Sequence, residues 1–84
     1  MASEPLSHRA LAMLRAVADG RAQISCGREP DLYIDGVPCC DQFVAHQLTH
    51  DGYLATQTGP FGRKVPATLT QAGTTALQSV AVAA

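Results

Sequence analysis

Apolar positions recur at helical spacing at the start of the chain. Leu6, Ala10, Leu11, Leu14, Val17 and Ala18 fall on one side, and His8, Arg9, Arg15 and Asp19 on the other. This pattern predicts an amphipathic first helix over residues 6–19, capped by Ser3 or Ser7 and ended by Gly20. The period then changes. Ile24 and Cys26 alternate with polar neighbours, as do Leu32 and Ile34, around the turn-rich Gly27-Arg28-Glu29-Pro30-Asp31. Two short strands forming a hairpin are expected here, with Asp35-Gly36 as a further turn.

Helical spacing returns with Val37, Cys40, Val44 and Leu48, and the line continues to Leu54 past the helix end. Pro38 suits a first helical turn, so a second helix is expected over 38–50, ended by Gly52. Phe43 flanks its apolar line. Cys39, Gln42, His46, Thr49 and His50 fall opposite. Tyr53 to Thr58 and Val65 to Leu69 are β-prone and flank a tip running from Gly59 to Lys64, with Pro66 confined to an edge. Thr70 caps a last helix carrying Ala72, Ala76, Leu77 and Val80, and the final residues fray. The expected class is α+β, in the order α-β-β-α-β-β-α, as a single domain over 1–84 with its core at about 6–80.

The stretch from Pro38 to Leu77 resembles winged helix-turn-helix transcriptional regulators of the MarR type. Thr49-His50-Asp51-Gly52-Tyr53-Leu54 closes the helix, and Ala67-Thr68-Leu69-Thr70-Gln71-Ala72-Gly73 leads back in after the tip. The resemblance implies a winged-helix domain that dimerises through its terminal helices and docks one helix and one loop on double-stranded DNA. It departs from the family in one place. The residues between Gly20 and Pro38 read as strands, so a short turn or an extra hairpin stands where the family has its positioning helix.

On that reading the outward side chains of the helix contact bases. Gln42 and Gln47 suit adenine, His46, Thr49 and His50 give shorter contacts, and Arg63 and Lys64 reach phosphate or the minor groove. Arg9, Arg15, Arg21 and Arg28 are candidates for further phosphate contacts.

Charge pulls the other way. The chain has six Lys and Arg against seven Asp and Glu, a net charge of −1, whereas nucleic-acid domains are usually basic. The outward helix face holds no Lys or Arg, and Asp41 repels phosphate. A protein-interaction module on the same scaffold, without DNA binding, is therefore the competing expectation. With 84 residues the core is small, which makes a homodimer reasonable.

Other chemistry has less support. His46 and His50 share a helical face, with Cys39 seven residues before His46 and Cys26 nearby in the hairpin, but no paired-cysteine motif accompanies them. No metal or cofactor is expected. Cys40 and Cys26 read as small core residues, with Cys39 and the histidines exposed. A thiol switch at Cys39 or Cys40 remains open. No nucleophile motif or phosphate loop suggests an enzyme. Phe61 is expected to fold back on the domain rather than stand out. No apolar run is long enough to span a membrane and no signal peptide is evident, so a cytoplasmic location is expected, with reduced cysteines.

Overall fold

A computed structural model describes residues 6–27 and 29–83, with side chains as far as residue 78. Ser3, Arg28 and the side chain of Val80 lie outside the described residues. Three helices and four strands follow in the order α1 (His8–Ala18), β1 (Ala22–Ser25), β2 (Leu32–Ile34), β3 (Val37–Pro38), α2 (Gln42–His50), β4 (Lys64–Pro66) and α3 (Gln71–Ala83). All strand pairs are antiparallel, in the spatial order β3-β2-β1-β4. The α+β class stands, roughly that of a small winged-helix-like domain, with one strand placed before α2 rather than after it.

α1 follows its apolar period. Ser7 Oγ accepts from the Ala10 amide at 3.1 Å and caps the first turn. Ala10, Met13, Leu14, Ala16 and Val17 are buried. Leu14, Ile24 and Leu32 are fully enclosed, and Ala45 and Leu48 of α2 and Leu54 beyond it complete the cluster. Each buried Leu or Ile of this kind stabilises the fold by about 1.5–3 kcal/mol. Residues alternating to the other side of the sheet, Gln23, Pro38, Lys64 and Pro66, are exposed.

The hairpin from β1 to β3 corrects the expected start of the second helix. Asp35 and Gly36 have φ of 55° and 83°, the left-handed pair of a two-residue turn. The turn sends Val37 and Pro38 back along β2, opposite Ile34 and Tyr33. The Cys39 amide then donates to Leu32 O at 2.9 Å. Pro38 thus occupies the position between bonded pairs, where its missing donor points away from β2. Helix α2 begins four residues later, after Asp41, whose carboxylate accepts from the Val44 amide at 3.2 Å.

This shift rotates the expected faces. Ala45 and Leu48 point inward, while Val37 and Phe43 are 62% and 76% exposed. Cys39 is half-buried against the core and Cys40 is exposed, the reverse of the expectation; Cys26 is buried as expected.

The second correction concerns the wing. β4 pairs with β1, not with residues 53–58. The latter meet the returning chain at a single isolated bridge, Leu54–Leu69, where Ala55 N donates to Thr68 O at 3.0 Å and Thr70 N to Tyr53 O at 3.2 Å. Pro66 explains the limit. Its neighbour Ala67 donates to Ala22 O, so the nitrogen of Pro66 faces the 53–58 side, and it carries no hydrogen to continue a ladder there. Gln57 Nε2 instead reaches Thr68 Oγ1 at 3.2 Å. Both sheet edges, β3 and β4, thus end on a proline, which discourages edge-to-edge pairing with another chain.

Candidate nucleic-acid interface

The expected reading helix splits into structural and outward residues. Gln42 is structural. Its Oε1 accepts from the Leu32 amide at 2.9 Å, and its Nε2 donates to Leu32 O at 2.9 Å and Cys39 O at 2.8 Å. The side-chain amide thereby takes the place of a strand peptide beside β2 and is unavailable to a base. Thr49 is half-buried and donates to Ala45 O at 3.1 Å. Phe43, His46, Gln47 and His50 recur at helical spacing and line one groove of about 520 Å³, with Glu29, Pro30 and Thr56 on its far side. His46 Nε2 lies 3.2 Å from Asp31 Oδ1, which fixes the ring against the β1–β2 connection. Gln47 and His50 are exposed.

Arg63 and Lys64 are exposed but diverge. Lys64 Nζ stands 4.4 Å from the centre of the Tyr33 ring, on the outer face of the sheet. Arg63 ends the tip turn, and among the described residues it meets no carboxylate within ion-pair distance. Phe61, expected to fold back, is 92% exposed. The turn around it presents the ring at a corner, over Gly27, so the core offers it no pocket. Glu29 borders both the α2 groove and a second hollow formed with Gly27, Gly59 and Phe61. Sequence reasoning missed the Glu29 and Phe43 positions, because each depends on how the β1–β2 connection lies against α2.

Two of the other cations are engaged. Arg9 Nη1 meets Asp41 Oδ2 at 2.6 Å, and Arg21 Nε lies 3.7 Å from Asp35 Oδ1. The hydrogen bond from Arg9, then the Val44 amide, holds the Asp41 carboxyl below its ordinary range, and the same bond raises Arg9. A carboxyl with a lowered folded-state value contributes stability above its unfolded value and loses it as the pH falls through the folded one. Asp41→Asn should therefore flatten the acid limb of the urea-midpoint curve below about pH 4. An unchanged limb would show that other carboxylates govern acid unfolding.

No three His, Cys, Asp or Glu side chains among the described residues are grouped as a metal ion would need. No described helix is long and apolar enough to cross a membrane. No known protein family, curated protein or solved structure matches the chain.

Proposed function

We propose that this domain binds duplex DNA as a small winged-helix regulator, using the Phe43, His46, Gln47 and His50 face of α2 together with the tip around Arg63. The observation that supports this reading is the continuity of the surface. Glu29 lines both the groove along α2 and the hollow under Phe61, so helix and tip lie side by side. A nine-residue helix spans about 14 Å, enough to lie across a major groove. Gln47 and His50 then supply the polar contacts that Gln42 does not. A homodimer formed along α1 and α3, where Val17, Leu69 and Leu77 border an apolar groove, would double the phosphate contacts. A cytoplasmic location accords with this role.

The cationic contribution is small, which gives the reading a quantitative test. With Arg63 as the phosphate contact on this surface, the log–log salt slope of binding should be roughly −1 per protomer. Arg63→Ala should remove most of that slope. Glu29→Gln should tighten binding severalfold, because it removes a negative charge from the contact surface. Absence of duplex binding by the wild type at low salt would sink the proposal.

The second reading is a protein-interaction module, favoured by Phe43, 76% exposed beside the Glu29 carboxylate. A partner with a cation next to an apolar anchor fits that groove. Here Glu29→Gln weakens the complex instead, so one substitution separates the readings by sign.

A further inference from the structure

We infer that Phe61 is an apolar wedge that enters the minor groove of DNA and partly unstacks a base step; the inference rests on the DNA-binding reading. Its ground is the construction of the tip. The Arg63 amide donates to Pro60 O at 3.0 Å, closing a four-residue turn from Pro60 to Arg63. Gly62, third in the turn, has a φ of 83°, the left-handed conformation that a type II turn requires there. Phe61 therefore occupies the second position of the turn, and its ring is 92% exposed.

Two further bonds make the tip rigid. Gly62 N donates to Cys26 O at 3.0 Å, and Cys26 N donates to Arg63 O at 2.8 Å, so the base of the turn is continuous with the β1–β4 ladder. The ring is also positioned from below. A β-carbon at Gly27 would lie 3.2 Å from two of its carbons, a space that only glycine leaves free without displacement. The backbone that presents this 92%-exposed ring is thus ordered before any partner arrives, which lowers the ordering cost of binding.

Shape and charge select the occupant. An ordinary protein interface covers about 800 Å² on each partner, and this tip is only a turn wide. A turn of that width suits a minor groove about 6 Å across. Arg63, two residues beyond the ring and without a carboxylate partner among the described residues, complements phosphate beside the insertion point. Glu29, which borders the hollow beside the ring, is the opposing charge and repels phosphate on that side. Apolar wedges flanked by cations kink duplexes at steps that unstack easily, TA and CA above all.

The test uses the full chain and a short duplex carrying the fluorescent adenine analogue aminopurine at a central TA step. Wild-type protein should raise the emission severalfold as the step opens. Phe61→Ala should abolish that rise while binding weakens by no more than about tenfold, and Phe61→Leu should keep most of it. Gln71→Ala, at an exposed position of α3 outside the proposed contact surface, should leave the rise in place. Phe61 is exposed, so each tip variant retains its fold, which circular dichroism checks. Binding without unstacking, or unstacking that survives Phe61→Ala, overturns the wedge and leaves the DNA reading intact. No duplex binding by the wild type at low salt overturns both and makes Phe61 a protein contact.

Discussion

Gly73→Ala should lower the thermal midpoint by roughly 8–16 °C, although alanine is the better helix former. Gly73 lies in the first turn of α3 and is buried. Its neighbour Thr70 ties that turn to the end of α2. Thr70 N donates to Tyr53 O at 3.2 Å, Thr70 Oγ1 donates to Gly52 O, and Gly73 N donates to Thr70 Oγ1 at 3.1 Å. A β-carbon at Gly73 would collide with the Tyr53 carbonyl oxygen and press on Leu69 Cδ2 at 3.3 Å. The obstacle is backbone, so no side-chain rotation relieves it.

Helix propensity alone would favour alanine by about 1 kcal/mol. Overpacking costs about 1–3 kcal/mol, and displacing a carbonyl that accepts the Thr70 amide belongs at the upper end. The steric term wins, so the net sign is destabilising. Gln71→Ala, an exposed position in the same turn, is the control and should stay within about 0.5 kcal/mol of wild type. A Gly73→Ala protein that melts higher than wild type would refute the close approach of α3 to residue 53.

Gln42→Ala should destabilise the domain by about 2–3 kcal/mol, measured by urea unfolding. Truncation removes three hydrogen bonds and strips Leu32, whose side chain is fully enclosed, of its amide's partner. A second substitution sharpens the test. Gln42→Glu keeps the size and can still accept from Leu32 N, but its carboxylate faces the oxygens of Leu32 and Cys39, to which the native amide donates.

That contact raises the introduced carboxyl above its unfolded value of about 4.3. The deficit relative to wild type should be full above the raised value. It should shrink as the pH falls through that value and level off below about 4.3, where both states are protonated. Taking the difference from wild type cancels the Arg9–Asp41 loss, which occurs in both proteins at still lower pH. A deficit that does not change with pH would show that the Gln42 amide does not donate to those carbonyls. Either variant acting on DNA affinity alone, with stability unchanged, would return Gln42 to the reading face.

Much of the framework was legible along the chain because its signals are local. The period of Leu14 and Val17 marks α1, Asp35-Gly36 marks a two-residue turn, and the Thr70 hydroxyl caps α3. Pro66 reads as an edge residue and is one. The residues between Gly20 and Pro38 form strands, as their alternation predicts, and β1 and β2 make the expected hairpin. Pro38 was ambiguous for a physical reason. Proline is tolerated both in the first turn of a helix and between bonded pairs on an edge strand, and only the partner β2 decides between them. His46 and Gln47 were recognisable as outward residues of α2, whereas Gln42 was not recognisable as a strand surrogate, since Leu32 is ten residues away and on another element.

By itself, then, the sequence determined the α+β class, the presence of three helices, the turn at 35–36 and the edge role of Pro66. Each follows from spacing or backbone restriction within a few residues. Tertiary structure alone decided that β4 pairs with β1, that α2 begins at Gln42, and that Phe61 and Phe43 stand in solvent. Strands of two to four residues carry too little local preference to choose a partner. Their pairing is set by which backbone donors remain free, and a proline on one side of a strand is enough to send the ladder to the other.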